Sequence, residues 1–224
     1  VTIPLIVLTN GRRDCISQTI PSITKHLTGY GDMVIVDDSG DKDYRAWLAV
    51  EFPDALVTAV ASEAAGYWRA MRTVWAIARG SGADTVVMWE DDFVLLDDID
   101  VACLDRVLDE HPYLTQIALR RQPWFANEIA HGGTLEALEV QGQTFAETSD
   151  GRHHWIEHRA CFTGNPCFIR RRTFERDWPE GAWSESRFGR LLFADPDARG
   201  AYWGRRSDPP HVEHIGHERV GTEY

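Results

Sequence analysis

Residues 85–96 read TVVMWEDDFVLL. The run from Thr85 to Trp89 carries no charge and goes straight into Glu90-Asp91-Asp92. A strand with one wet face alternates apolar and polar residues. An unbroken apolar run belongs to a strand covered on both faces, as in a parallel sheet. Open α/β sheets bind ligands beyond the carboxyl ends of their strands, which is where this triplet falls. Adjacent carboxylates repel one another, and hard oxygen ligands of this kind suit Mg²⁺ or Mn²⁺, which would relieve the repulsion. In extended backbone Glu90 and Asp92 face one side and Asp91 the other. One face can then hold a metal while the other meets a ribose or neighbouring backbone. The plain alternative is a solvated acidic loop; the position directly behind a buried strand favours a site.

Upstream, three more runs resemble this strand: 3–9 (IPLIVLT), ended by the turn signal Asn10-Gly11, 33–37 (MVIVD) and 56–60 (LVTAV). Helical spacing fills the gaps. Ile16, Ile20, Ile23 and Leu27 share a face behind a candidate cap, Asp14, and Pro21 predicts a kink or a late start. Tyr44, Trp47, Leu48 and Phe52 form a short amphipathic helix stopped by Pro53. Ala64, Tyr67, Trp68, Met71, Val74, Trp75 and Ala78 form a longer one, closed by Gly80-Ser81-Gly82. The order βαβαβαβ predicts an α/β fold with a mostly parallel central sheet flanked by helices.

Downstream, Asp97-Asp98-Ile99-Asp100 reads as a helix N-terminus, since carboxylates favour the positive end of the helix dipole. Val101, Leu104, Val107 and Leu108 continue that helix to Pro112, and a strand follows near 114–120. Residues 121–158 show weak periodicity. Residues 160–169 resemble a strand interrupted at Gly164-Asn165-Pro166. Residues 184–193 read as a helix with Ser184 as cap and Phe188, Leu191 and Leu192 inward. From 200 onward the chain is polar, rich in His and Arg, and without regular pattern.

The 224 residues carry a net charge of −12, which gives no overall sign of a duplex nucleic-acid binder. An acidic protein that binds a diphosphate must supply local positive charge from Arg, helix N-termini or a metal ion. Arg170-Arg171-Arg172 is a basic run of the kind more often solvated than bound to nucleic acid. Cys15, Cys103, Cys161 and Cys167 form no CxxC pair and read as reduced thiols of a cytoplasmic protein. No apolar run approaches the roughly 18 residues of a membrane span.

The order IVLTNGRR, MVIVDDSGD, a helix carrying Arg69 and Arg72, and VVMWEDDFVLL resembles the GT-A glycosyltransferases, especially the large inverting group called family 2. The resemblance is clearest over residues 3–96. It implies a single Rossmann-like GT-A domain over 1–224, with a nucleotide-sugar-binding half at 1–98 and an acceptor-side half with a donor-closing tail at 99–224. It implies transfer of a sugar from a nucleotide-diphosphate donor to an acceptor hydroxyl, dependent on Mn²⁺ or Mg²⁺. By position, Thr9, Asn10 and Arg12 fall where the family contacts base and ribose, Asp37 and Asp38 where it binds the base, and Arg69 or Arg72 near the donor. Glu90-Asp91-Asp92 matches the family's DxD motif, with Asp92 the metal ligand and Glu replacing the first Asp. Glu185 falls where many members carry a catalytic carboxylate, here Glu185-Ser186 rather than Glu-Asp. It would deprotonate the acceptor hydroxyl; its other reading is a carboxylate in the first turn of a helix. In the tail His211-Val-Glu-His214-Ile-Gly-His217-Glu-Arg219, the resemblance implies that His217, then His214, completes the metal site. Arg219, with Arg205 or Arg206, would pair with the diphosphate.

Three other readings compete. His153, His154, His158, Cys161 and Cys167 lie close in sequence and are all legitimate zinc ligands, although their spacing matches no known zinc motif. A nucleotidyltransferase acting on sugar phosphates would share the sheet and acidic metal ligands, but the loop Asn10-Gly11-Arg12-Arg13 is too short for its Gly-rich, Lys-containing loop. A non-catalytic nucleotide- or carbohydrate-binding protein could keep the same fold. The acceptor stays open among a glycan, a protein and a modified DNA base.

Overall fold

The structure is a computed structural model describing residues 2–60 and 66–216. The first half follows the expected alternation: β1 (Ile3–Thr9), α1 (Arg13–His26), β2 (Leu27–Thr28), β3 (Tyr30–Asp37), α2 (Lys42–Glu51), β4 (Ala55–Ala59), α3 (Tyr67–Gly80) and β5 (Thr85–Glu90). Then come β6 (Phe93–Leu95), β7 (Ile99–Asp100), α4 (Val101–Glu110), β8 (Leu114–Ala118), α5 (Ala126–His131), α6 (Thr134–Val140), β9 (Phe145–Ser149) and β10 (His154–His158). The remainder is β11 (Cys167–Arg170), α7 (Arg171–Phe174), α8 (Ser184–Leu192), β12 (Arg199–Trp203) and β13 (Val212–His214).

One nine-stranded sheet runs through both halves in the order β4-β3-β1-β5-β11-β8-β12-β10-β9. β4, β3, β1 and β5 are mutually parallel, and β8 pairs parallel with β12. β11 and β10 run against their neighbours. β1 shows why its sequence is continuously apolar. Leu5 and Val7 enter one core with Ile16 and Ile20 of α1 and Leu104 of α4, and Ile6 and Leu8 enter a second core with Met71 and Trp75 of α3. Successive side chains point to opposite faces, so two covered faces leave no polar position.

Several local expectations change. α1 runs through Pro21 without stopping. Pro21 and Ser17, whose carbonyl loses its partner, are both exposed, on the side away from Ile16, Ile20 and Ile23, which hold the buried face. Asp14 sits in the first turn, and Arg12 rather than Asp14 occupies the N-cap position. Asp100 caps α4 through the Ala102 amide at 3.0 Å, whereas Asp97 and Asp98 pair with His211 and His26. Ser184 is the first residue of α8, whose N-cap is Trp183 in left-handed backbone, and Leu191 points outward, 60% exposed. Strand β11 begins only at Cys167, so residues 160–166 form a loop. The irregular stretches of the second half resolve into α5, α6, β9, β10, β12 and β13. No described helix is long and apolar enough to cross a membrane.

Candidate functional site

The carboxyl end of β5 opens into a cavity of about 320 Å³ lined by Arg12, Glu90, Asp92, Gly164, Glu185 and His214, among others. The alternation expected of the triplet holds. Glu90 and Asp92 face the cavity, and Asp91 turns inward, fully buried. Asp91 accepts bonds from the Thr9 hydroxyl at 2.6 Å, the Asn10 amide at 3.3 Å and the Arg12 guanidinium, while its carbonyl accepts from Thr19. It thus ties the ends of β1 and β5 together from behind the cavity.

Arg12 bridges Asp91 and Asp92, reaching Asp92 Oδ2 at 2.7 Å. Burial opposes its charge, but the two carboxylates outweigh that and hold its pKa above the ordinary value. β13 pairs antiparallel with β6, setting His214 opposite Phe93. This pairing carries His214 Nε2 to 3.0 Å from the same Asp92 oxygen. Burial disfavours the Asp92 carboxylate, but the contacts of His214 and Arg12 prevail and lower its pKa. Its other oxygen, Oδ1, is buried without a hydrogen-bond partner. Gly216 packs so close to Asp92 Oδ2 that a side chain there has no room.

Glu90 and Glu185 meet at Tyr67. The Tyr67 hydroxyl lies 3.3 Å from Glu90 Oε1 and 3.1 Å from Glu185 Oε2. Burial, then the charges of Asp92 and Glu185, push the Glu90 carboxyl well above the carboxylate range. The Gly164 amide donates to Glu185 Oε1 at 3.4 Å, and a Cβ on Gly164 would fall 2.5 Å from Glu90 Oε1 and 2.8 Å from the Tyr67 oxygen. A side chain there would push the Glu90 carboxyl and the Tyr67 hydroxyl out of their present positions.

The other expected residues separate. Thr9 is buried and bonded to Tyr44 and Asp91. Asp37 is buried and held by Ser39 and Arg45. Asp38 keeps Oδ1 buried and unbonded, and burial raises its pKa to about 6, against the pull of the Gly66 amide and Arg69. Arg69 lies over the Trp68 ring at 4.2 Å. Arg72 is drawn away to the Trp178 carbonyl and Glu180, Arg205 to His154, and Arg206 to Glu139. Arg205 and Arg206 therefore stand apart from the cavity, anchored by the second half's own groups. His217 and Arg219 lie outside the described residues.

The zinc candidates also disperse. His153 pairs with Asp150, His154 meets Arg205, His158 stacks on Tyr202, and Cys167 is sealed in the core. Among the described residues no three His, Cys, Asp or Glu side chains form a metal-holding group.

Sequence reasoning missed Tyr67, Gly164 and the segment after β8. Glu128 accepts from both Nη atoms of Arg121 at 2.6 and 2.8 Å, from the amides of Trp124 and Phe125, and from Thr134. Arg121, Trp124 and Phe125 all line the cavity. A usable signal was present: Arg120-Arg121 lies just beyond the carboxyl end of β8, as Asp91-Asp92 does beyond β5. Tyr67 carried none, because its spacing matches the apolar face of α3.

No family model matches the chain, and no curated protein matches it. Solved structures do. The chain is similar to S. aureus TarS 1–349 in complex with UDP-GlcNAc, with 15% identity and a TM-score of 0.57 over 98% of this chain and 62% of that one. A second TarS structure gives a TM-score of 0.61 at 13% identity over 96% of this chain and 37% of that one. The chain thus spans less than two thirds of either TarS structure. CMP:2-keto-3-deoxy-manno-octonic acid synthetase complexed with CTP gives 0.53 at 12% identity, covering 90% of this chain and 89% of that one. The architecture of the chain is therefore the mixed α/β fold of the GT-A glycosyltransferases, with its carboxylate cavity at the carboxyl edge of the sheet.

Proposed function

We propose that the protein transfers a sugar from a nucleotide-diphosphate donor to an acceptor hydroxyl, with Glu185 as the base. The observation that carries this reading is that Glu90, Asp92 and Glu185 share one cavity at the ligand-binding edge of a GT-A sheet. The acceptor oxygen attacks the anomeric carbon, the carbon–oxygen bond to the diphosphate breaks, and the diphosphate leaves with the bonding pair. Glu185 takes the hydroxyl proton. Tyr67 and the Gly164 amide orient its carboxylate for that step.

A divalent ion fits the chemistry of the site. Asp92 Oδ1 is a buried acceptor with no partner, and Glu90 adds a second carboxylate to the same cavity. Asp92 would hold Mn²⁺ or Mg²⁺, with His217, then His214, as the candidate histidine ligand and Arg219 as the candidate partner of the diphosphate. Such an ion supplies charge neutralisation to the departing diphosphate. Arg12 supplies part of that positive charge from the chain itself and keeps Asp92 ionised. Asn10, Asp38 and Arg69 are the candidate donor-side groups, and Asp38 Oδ1 is a buried acceptor without a partner.

The test is a panel of nucleotide-sugars read by thermal shift with and without Mn²⁺, followed by turnover with the donor that binds. Donor and metal should stabilise together. Metal-independent donor binding removes the metal from the reading. Formation of a nucleotide-sugar from a nucleoside triphosphate and a sugar phosphate would establish the nucleotidyltransferase reading, for which the CTP-bound neighbour speaks. Binding without turnover of any donor would leave a binding protein.

A further inference from the structure

A second cavity, of about 550 Å³, shares Arg121, Thr163, Asn165 and Glu185 with the first. The two differ in charge. The first is lined by Arg12 and Arg121 against Glu90, Asp92 and Glu185; the second by Arg121, Arg159 and Arg190 against Glu185 alone. Arg121 counts for little in either, because Glu128 holds it in a two-pronged pair. What remains is a carboxylate-dominated cavity beside an arginine-dominated one. In a chain with 35 acidic and 23 basic residues, the second runs against the overall balance.

Among the described residues, its two remaining arginines have no acidic partner. Arg159 donates to the carbonyls of Phe193 and Asp195, which fix the guanidinium in place without a formal countercharge. Neither Arg159 nor Arg190 forms an ion pair among the described residues. Guanidinium groups match the planar, multi-oxygen geometry of phosphate and carboxylate. Ser186 and Thr134 add hydroxyls to its lining, the latter donating to Glu128 at 3.1 Å.

We propose that this second cavity is the acceptor site, and that it selects a hydroxyl-bearing acceptor carrying an oxyanion, either phosphate or carboxylate. The assignment rests on the glycosyltransferase reading above. Glu185, common to both cavities, then stands between a cation-assisted donor on one side and an acceptor held by its own negative charge on the other. The two anions need different countercharges, which explains why neighbouring cavities of one site are lined so differently.

The test compares three small probes that differ only in charge: glycerol 3-phosphate, glycerate and glycerol, titrated against the full chain and against Arg190→Gln. Arg190 is exposed on α8, so this substitution should leave the fold intact, and Arg159→Gln serves as a second variant. Both anions should bind at least about tenfold more tightly than glycerol, and Arg190→Gln should remove about tenfold from the anions alone. The donor that binds in the panel above, titrated in parallel with Mn²⁺, should bind both proteins equally. Equal affinity for all three probes, or an anion preference untouched in both variants, overturns the proposal. If the unaltered protein prefers anions but binds no nucleotide-sugar of the panel, the glycosyltransferase reading fails while the oxyanion pocket survives. The stronger of the two anion arms identifies phosphate or carboxylate as the group recognised.

Discussion

Asp92 holds Arg12 and His214 on one oxygen and no partner on the other. That asymmetry distinguishes it from Asp91, whose oxygens are both engaged by the fold. Asp92→Asn removes the charge and keeps the shape. It should weaken Mn²⁺-dependent donor binding at least tenfold, measured by titration of the donor with the metal present, and unchanged binding would remove Asp92 from the metal site. Glu185→Gln should lower kcat by about 10²–10⁴-fold, with donor affinity nearly unaltered, because general-base catalysis is worth that range. A fall in donor affinity without a fall in kcat would make Glu185 a binding group. The sequence marked both residues, Asp92 by its place after a buried strand and Glu185 by its family position. It could not show that Tyr67 joins Glu185 to Glu90, because contacts between residues 118 positions apart have no local signature.

The segment between β8 and α6 is the element that shapes the cavity wall, and Glu128 organises it. Its carboxylate collects bonds from Arg121, Trp124, Phe125 and Thr134. Burial opposes its ionisation, yet the Arg121 bonds and the two amides keep its pKa below the ordinary value. The Arg121 and Glu128 side chains are each only 9% exposed, so breaking the pair leaves a nearly buried guanidinium uncompensated. Glu128→Gln should destabilise the protein by about 3 kcal/mol in urea unfolding. It should also change KM for the acceptor more than kcat, because it releases Arg121, which borders both cavities. A variant of unchanged stability would show that the loop is held by other contacts. β13 acts similarly: Gln122 exchanges hydrogen bonds with the His214 backbone at 2.9 Å each, which aligns His214 with Asp92. Neither device was legible in a polar stretch without periodicity.

At the scale of the molecule, the sheet separates two cores, and a buried histidine makes their stability depend on pH. His158 lies among Tyr202, Phe145 and Phe193, and burial lowers its pKa from 6.5 to about 4. Between those values the unfolded chain binds a proton that the folded chain excludes. The stability of the neutral, buried ring is fully present above about pH 6.5 and is lost as pH falls to about 4, by about 3 kcal/mol. His158→Phe should flatten that part of the unfolding profile. A slope that persists in the variant would assign the acid sensitivity to other groups.

The sequence by itself determined the α/β class, the four parallel strands of the first half and the acidic edge of β5. Those features are local: a strand covered on both faces must be apolar at every position, and a carboxylate behind it must emerge at the sheet edge. Only the tertiary structure decided which carboxylates share a cavity, that Asp91 serves the fold while Asp92 faces the site, and that His214 rather than Arg205 or Arg206 arrives there. These depend on strands β11, β8 and β12 completing one sheet from distant segments, and on pairings such as β13 with β6. Long-range register is set by the packing of the whole, and short polar strands at an edge carry too little pattern to announce their partners.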